Sequence, residues 1–198
     1  MAIPETLITP QLELRQFTID DAPRVQELAG DICIAAGVLN IPHPYTFDDA
    51  MEWIEQHSIL EQSGEEHIFA ITERKSGVLA GATSLRVNAE HSHAELGYWV
   101  GRKFHGRGYA TEAAGAMLEF GFFGLGLHRI YARHLAWNIK SSRVLSHIGM
   151  RSEGIMPGHA WKWGVFHDVH IYGIIDSDFY SYYSKAKSSL MHSNKEKR

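Results

Sequence analysis

The chain has 198 residues, of which 44% are hydrophobic and 21% charged, and its formal net charge is -4. This length and composition are typical of a single globular domain, and the acidic balance excludes a general affinity for nucleic acid. No apolar run is long enough to span a membrane and no secretory leader pattern opens the sequence, so a cytoplasmic location is expected. The single cysteine, Cys33, excludes an internal disulfide, and the 13 histidines lack zinc-motif spacing, which predicts no metal site.

One strand and two short helices are predicted for the first third of the chain. Residues 11–17 alternate in polarity, which is typical of a strand. A threonine followed by an aspartate three positions later marks a helix start, and this pattern occurs at residues 18–21 and again at residues 46–49. The second helix keeps its apolar spacing to about Gln62, and two prolines break the segment 37–46 between the helices.

A run of strands occupies the middle of the chain. Residues 67–73, residues 78–87 and the strand that contains Glu95 follow one another on short connections, which favours an antiparallel meander. A helix that starts near Tyr109 and a strand at residues 127–135 come next. Strand–helix–strand units of this kind usually form parallel crossovers, so the last two strands are predicted to run in the same direction.

The last third of the chain is predicted to add one helix and two strands. The helix is Asn138–His147, and Gly149 is its natural stop. Two strands within residues 150–176 are expected to flank a loop at Pro157–Val165. No linker or repeat interrupts the sequence, so the chain is interpreted as one domain with its core at residues 10–178 and a polar tail beyond.

The stretch His93–Glu112 carries the main functional signal, because a strand leads through a basic glycine turn into a helix. Glycines at the head of a helix let the backbone approach a ligand, and the free N–H groups and positive dipole end favour phosphate. A P-loop is excluded because lysine does not follow Gly108, and a dinucleotide fingerprint is excluded because Thr111 replaces its third glycine. Taken alone, the stretch leaves open a glycine turn that only starts a helix.

Two segments together resemble the GNAT acetyltransferases. The coenzyme A loop of that family has the pattern Gln/Arg-x-x-Gly-x-Gly/Ala, and residues 103–108 fit it with a lysine in the first position. Residues 138–150 match the family segment Asn-x-x-Ser-x-x-x-Leu-x-x-x-Gly-Phe except for Met150 at the last position. Residues 41–54, together with the strand and helix start around the loop, resemble the Rim-type branch, whose known members acetylate N-termini of ribosomal proteins. The resemblance covers roughly residues 10–178.

The resemblance implies an α/β (α+β) GNAT fold, in which a mixed, mostly antiparallel sheet of six to seven strands is flanked by about four helices. It implies an N-acetyltransferase that uses acetyl-CoA as cosubstrate and acetylates a primary amine, foremost the N-terminal amine of a protein or peptide. A small-molecule N-acetyltransferase acting on an aminoglycoside, polyamine or amino acid analogue is one alternative, and a catalytically silent coenzyme A-binding module is another. The implied partners are the acceptor and, at most, a second copy of the chain in a homodimer, with no nucleic acid and no membrane.

The resemblance places the cofactor along the glycine turn and between two parallel strands, those of Glu95 and Tyr131. The cofactor-binding residues that it implies are Trp99, Val100, Gly101, Lys103, His105, Gly106, Arg107, Gly108, Tyr109, Ala110, Thr111, Asn138 and Ser141. Arg102, Lys140 and Arg143 are expected either to meet a further phosphate or to form a solvated face.

Two residues are candidates for proton transfer. Glu95 alternates onto the same side of its strand as Gly97 and Trp99, and it is the candidate base for the attacking amine. The alternative is a structural carboxylate that is paired with a nearby histidine or arginine. Ser141 fills the position that the family associates with protonating the leaving thiolate, and the alternative is a serine in the first turn of a helix.

The acceptor is expected to approach from the opposite mouth of the gap. The loop and late-strand residues predicted to line this mouth are His43, Tyr45, Trp161, Trp163 and Tyr172. Met51 and Trp53 are assigned to packing. Only the loops 37–47 and 156–166 would distinguish a peptide acceptor from a small amine, because both acceptors would use the same cofactor half.

Overall fold

The computed structural model describes residues 6–181, 183 and 184, and the strands of this part of the chain form one sheet. The strands are β1 (Thr6–Ile8), β2 (Leu12–Arg15), β3 (Glu66–Glu73), β4 (Leu79–Asn88), β5 (His93–Val100), β6 (Arg129–Leu135), β7 (Arg151–Lys162) and β8 (Val165–Ile175). Their order across the sheet is β1-β2-β3-β4-β5-β6-β8-β7. Every neighbouring pair is antiparallel except β5 and β6, which are parallel. The predicted meander and the predicted parallel crossover are therefore confirmed.

Up to the end of β8, the described residues contain six α-helices. They are α1 (Ala22–Ala29), α2 (Ile32–Gly37), α3 (Phe47–Glu55), α4 (His57–Ser63), α5 (Tyr109–Glu119) and α6 (Ile139–His147). Another helical stretch begins at residue 176, and Phe179 within it is only 3% exposed because it stacks on Phe122. The core thus reaches past residue 178, and the rest of the predicted polar tail, at residues 182 and 185–198, lies outside the described residues.

The mixed, mostly antiparallel α/β fold is confirmed, with more elements than the sequence predicts. The sheet has eight strands, and β1 and α2 are the short elements that periodicity does not detect. The predicted second helix divides at Gln56, which ends α3 and precedes α4. No helix in the described part of the chain combines the length and the apolarity of a membrane span.

The core surrounds the central strands. Residues 66–72 of β3 are all buried, as expected of a strand that is covered on both faces. One hydrophobic cluster joins Phe69 of β3 to Val25 of α1, Met117 of α5 and Leu145 of α6. The helices that carry the glycine turn and the Asn138 segment are therefore fixed to the same frame as the strands.

The sheet opens between its two parallel strands. β5 and β6 pair only from His93 to Glu95 and from Arg129 to Tyr131. Beyond Glu95, β5 pairs only with β4, and beyond Tyr131, β6 pairs only with β8. The inner edges of both strands consequently carry backbone N–H and C=O groups that have no partner across the gap. We call this opening, which runs from Glu95 towards Val100 along β5, the wedge.

The hairpin of β7 and β8 corrects one prediction. The expected loop at Pro157–Val165 is wrong, because β7 continues to Lys162, which pairs with Val165. The turn consists of two residues, Trp163 and Gly164, with φ values of 52° and 82°. Two-residue turns with positive φ at both positions match the twist of the strands, and tryptophan is not a residue that signals such a turn.

Candidate active site

The wedge between β5 and β6 opens into a cavity of about 940 Å³. Its walls also include the glycine turn, the first turns of α5 and α6, and the end of α2 with the residues that follow it. The predicted site residues that line this cavity are Glu95, Trp99, Val100, His105, Gly106, Gly108, Tyr109, Ala110, Thr111, Asn138 and Ser141. Gly101, Lys103 and Arg107 are not among the lining residues.

The glycine turn has the conformation of a backbone cradle. Gly106 and Gly108 have φ values of 78° and 82°, and a β-carbon on either would meet no protein atom within 4 Å. Gly108 is the N-cap residue of α5, so the free N–H groups of the first helical turn lie at the cavity wall. The His105 ring donates a hydrogen bond of 2.8 Å from Nε2 to the Val100 carbonyl, which ties the turn to the end of β5.

Two basic residues of the loop face carboxylates. Lys103 Nζ lies 3.1 Å from Glu27 Oε1, and Arg107 lies 2.9 Å from Glu73 Oε1. Both cations also lie over the ring of Phe104, at 5.7 and 5.4 Å from its centroid. Their charges are therefore compensated outside the cavity, and the predicted contribution of these two side chains to phosphate binding stays a prediction.

Three other basic residues line the cavity, namely Arg102, Lys140 and Arg143. No ion pair of these side chains is seen among the described residues. They stand at the ends of β5 and α6 that flank the wedge. All three are exposed, so both alternatives predicted for them, contact with a further phosphate and a solvated face, stay predictions.

Asn138 connects two walls of the cavity. Its side-chain Oδ1 accepts a hydrogen bond from the Ser141 backbone N–H at 3.2 Å, which caps α6. Its Nδ2 donates to the Gly37 carbonyl at 3.1 Å, which ties the end of α2 to the start of α6. The amide group is thus engaged by protein partners, and its direct contact with a cofactor stays a prediction.

Ser141 is paired with Tyr98, a residue that sequence reasoning missed. The Tyr98 hydroxyl and Ser141 Oγ lie 2.8 Å apart, so β5 and α6 are bridged across the wedge. Burial raises the pKa of Tyr98 to about 12, against a smaller lowering by the hydrogen bond to Ser141. The phenol therefore stays protonated at neutral pH. The alternation of residues along β5 would have indicated a role for Tyr98 only if both faces of the strand had been known to be accessible.

Glu95 is held by Arg133 of β6. The guanidinium donates two hydrogen bonds of 2.8 Å to the two carboxylate oxygens, and the Glu95 side chain is 19% exposed. The hydrogen bond with Glu95 is the main cause of a raised pKa of Arg133. The Tyr131 hydroxyl lies 3.5 Å from Oε2. The arginine partner named in the alternative for Glu95 is therefore present, while the role of Glu95 as base stays a prediction.

A second cavity of about 420 Å³ adjoins the first. The residues that line both cavities are Val38, Asn40, Glu95, Gly97, Tyr98 and Trp99. The remaining walls of the second cavity come from α3, from the loop before it, and from β3 and β4. A ligand in the wedge and a ligand in the second cavity would meet at the β5 segment around Gly97.

The predicted acceptor mouth is only partly right. Tyr45 lines the second cavity, whereas His43, Trp161, Trp163 and Tyr172 line neither cavity. Trp161 and Trp163 stand on the extended β7 and its tight turn, which carry them away from the wedge. Trp53, assigned to packing from the sequence, is a wall residue of the second cavity.

Lys162 anchors a loop whose residues line both cavities. This side chain is 6% exposed, and its ammonium donates to the carbonyls of Val38 at 2.8 Å, Ile41 at 3.1 Å and Leu39 at 3.5 Å. Burial lowers the pKa of Lys162. The hairpin at the far end of the sequence thus fixes the loop at residues 38–41, a link that no local pattern indicates.

An open wedge, a helix start with free N–H groups and an adjoining second cavity are features of a group-transfer enzyme that binds an anionic cosubstrate beside a separate acceptor. No cluster of histidine, cysteine and acidic side chains suited to a metal ion occurs among the described residues. The sequence profile described as "Acetyltransferase (GNAT) domain" matches residues 11–151, and the chain belongs to this family. It is an acyltransferase that uses acetyl-CoA, as the sequence predicts.

Relatives with several named acceptors share this fold. The chain is 30% identical to the uncharacterized N-acetyltransferase YnaD of Bacillus subtilis (strain 168), over 87% of this chain and 98% of that protein. It is 22% identical to the spermidine N(1)-acetyltransferase of Vibrio cholerae, over 85% of this chain and 95% of that protein. The structure of the ribosomal-protein-S5-alanine acetyltransferase from Vibrio fischeri superposes with a TM-score of 0.77 at 19% identity, covering 88% of this chain and 98% of that one.

Proposed function

We propose that the protein transfers the acetyl group of acetyl-CoA to the N-terminal amine of a protein or peptide. The observation that carries this proposal is the continuity of the two cavities, which share the β5 segment from Glu95 to Trp99. An extended peptide end can reach the reacting centre through the second cavity, which is open to solvent and shares wall residues with the wedge. The fold shared with a ribosomal-protein acetyltransferase supports the same acceptor class.

The residues of the wedge fit acetyl-CoA. The positive-φ glycines leave an unobstructed backbone cradle, and the first turn of α5 would hold the pyrophosphate through its N–H groups. Arg102, Lys140 and Arg143 would add positive charge. The unpaired inner edge of β5 near Trp99 would hold the pantetheine arm and offer N–H groups to the acetyl carbonyl, as preorganised dipoles do in other acyl transfers. When bound, acetyl-CoA supplies the reactive thioester.

Glu95 accepts the proton of the attacking amine in this proposal. It lines both cavities, and Arg133 fixes its two oxygens without using all their lone pairs. A peptide N-terminal amine has a reference pKa near 8, so a fraction is already neutral at pH 7 and the demand on a base is modest. A lysine amine, with a reference pKa above 10, would depend on Glu95 far more.

Ser141 and Tyr98 form the proton-donating side of the site. Ser141 Oγ shares a hydrogen bond with the buried Tyr98 hydroxyl, which holds its proton at neutral pH. Together they can donate to sulfur as the thiolate leaves. The help is small, because a thiol with a pKa near 8.5 gives a tolerable leaving group without an acid.

A small polyamine is the second candidate acceptor. It is favoured by the carboxylates around the second cavity and by the similarity to a spermidine acetyltransferase. The deciding experiment measures thiol release from acetyl-CoA over a panel of peptides with different N-terminal residues, alongside small amines. Acetylation of peptide N-termini, verified by mass spectrometry, is the expected result. Turnover of small amines alone would overturn the peptide acceptor, and no turnover with any amine would leave only a coenzyme A-binding module.

A further inference from the structure

The second cavity combines aromatic rings with carboxylates. Trp53 and Trp99 stand in its wall with their ring centroids 6.5 Å apart, and Tyr45 adds a third ring. Asp49 and Glu52 of the same helix α3 lie in the same wall. Aromatic faces and acidic groups around one small space are the features that attract an organic cation, because the ring faces and the carboxylates both carry negative potential.

Most of the carboxylates around this cavity already have protein partners. Glu66 is bound to Arg86 and to Ser84, Glu95 is bound to Arg133, and Asp49 accepts from the hydroxyl and the backbone N–H of Thr46. Glu52 is the remaining acidic residue in this wall. It is exposed, and no hydrogen bond or ion pair of its side chain is seen among the described residues.

We propose that the second cavity binds a positively charged group that the acceptor carries a few bonds away from the amine to be acetylated, with Glu52 as its ion-pair partner and Trp53 and Trp99 flanking it. Trp99 also lines the wedge, so the cation site begins next to the reacting centre. The inference rests on the proposed acetyl transfer. It adds that the enzyme selects its acceptor by a second charge.

The size of the second cavity and its acidic residues favour a cationic group over a purely apolar side chain. A cavity of about 420 Å³ is within the size range of small-ligand sites and is large enough for the end of a lysine or arginine side chain, or for an aliphatic diamine. An acidic acceptor would meet Asp49 and Glu52 and would be repelled. The second positive charge can belong to a basic residue near a peptide N-terminus or to a small diamine. The experiment below separates these two sources.

The test compares acceptors that differ only in the second charge. Three peptides begin with alanine followed by lysine, norleucine or glutamate, and a second pair consists of 1,4-diaminobutane and butylamine. Steady-state kcat/KM is measured for the wild-type chain, for Glu52→Gln and for Glu55→Gln. Glu55 is exposed on the same helix but lies outside the cavity, so its variant removes the same charge from α3 as a matched control.

The expected result is a preference for the charged over the neutral member of a pair by roughly three- to tenfold, as for a partly solvated ion pair on aromatic faces. The preference should fall to about one in Glu52→Gln, persist in Glu55→Gln, and weaken as salt is raised. Equal turnover of lysine and norleucine peptides and of both amines, or a preference that survives Glu52→Gln, would overturn the inference. A Glu52-dependent preference confined to the diamine would uphold the second-charge site while refuting the peptide acceptor.

Discussion

The two cavities meet on one strand, yet they are built from different parts of the chain. The wedge uses main-chain groups, namely the positive-φ glycine turn, the start of α5 and the unpaired edge of β5. The second cavity uses side chains, such as Trp53 and Glu52, and a loop that a distant lysine holds. A site built from main-chain groups keeps its ligand when side chains are substituted. A site built from side chains changes its ligand after a few substitutions. If the wedge holds the cosubstrate and the second cavity the acceptor, as we propose, the acceptor can change while the cosubstrate stays the same.

Glu95 belongs to both cavities, so replacing it is the strongest test of how separate they are. Because general acid–base assistance is typically worth about 10²–10⁴-fold, Glu95→Gln should lower turnover within that range. Affinity for acetyl-CoA should barely change, since the contacts that we propose for the cosubstrate are mainly main-chain groups. The measurement is steady-state turnover with cofactor affinity determined separately by calorimetry.

A matched control exists for the loss of the ion pair. Glu153 forms a two-point pair with Arg129 on the same strand that carries Arg133, and it lies outside both cavities. Glu153→Gln should leave turnover close to that of the wild type. Nearly full activity in Glu95→Gln would mean that Glu95 is a structural carboxylate and that another group or water takes the proton.

The main-chain character of the wedge can be tested at Gly108. Valine at this position must adopt a φ near 82°, which costs about 1–2 kcal/mol, and its side chain projects where the cosubstrate approaches. Gly108→Val should therefore weaken acetyl-CoA binding by roughly tenfold or more. Gly126→Val is the control, because Gly126 has a φ of 66°, an equally open surrounding and no place in either cavity. The control should lose stability and keep its affinity, and equal affinity losses in both variants would contradict the cradle.

The side-chain character of the second cavity can be tested at Lys162. Lys162→Met leaves the carbonyls of residues 38, 39 and 41 without their donor, so the free energy of unfolding should fall by about 1–3 kcal/mol. The KM for the acceptor should rise several-fold, and more than the dissociation constant of acetyl-CoA. Lys75→Met, at an exposed turn, is the control for loss of a lysine charge. If affinity for both substrates falls equally, the loop does not act on the acceptor side in particular.

Tyr98 and Ser141 should give the smallest effects. Tyr98→Phe and Ser141→Ala should each lower turnover only a few-fold, less than Glu95→Gln, because the thiolate leaves readily without an acid. Turnover of both variants is compared with the wild type under saturating acetyl-CoA. A loss as large as that of Glu95→Gln would instead make the pair essential to the reaction.

Tyr98 also predicts a change in stability at alkaline pH. The folded state holds the phenol proton to about pH 12, whereas the unfolded chain releases it near pH 10. Stability from this group is therefore complete below pH 10 and is lost as pH rises from 10 to 12. The difference between wild type and Tyr98→Phe, measured by denaturant unfolding, should be constant below pH 9 and change above pH 10. A constant difference across the whole range would contradict the burial of the hydroxyl.

Sequence patterns predicted the parts of the fold that depend on local periodicity. The strands from β2 to β6, the glycine turn and the helix capped by Asn138 follow from alternation, capping residues and glycine placement. The elements that were missed, β1 and α2, are too short to show a period. The loop expected at Pro157–Val165 failed because β7 resumes its pairing with β8 at Ala160–Lys162 after an irregularity that follows Met156, and such pairing depends on the partner strand.

The residues of the candidate site also divide into those that local motifs predict and those that distant partners position. Most of the site residues that motif spacing predicted do line the wedge, since a backbone cradle needs glycine at defined positions. It could not locate Arg133, Tyr98 or Lys162, because each acquires its place only through a partner far away in sequence. Lys103 and Arg107 show the reverse case, in which a motif predicts a charge but neighbouring carboxylates from α1 and β3 compensate it.

The anchoring of the loop by Lys162 has a consequence for the order in which the molecule is assembled. Lys162 and Val38 are separated by 124 positions, so every residue of the wedge is synthesised before the anchor of the loop exists. Contacts between distant positions form late, because closing a long stretch of chain costs more entropy than forming a local turn. A nascent chain therefore gains its cofactor cradle from local elements first. The side of the site that we propose for the acceptor is complete only once the hairpin of β7 and β8 has formed.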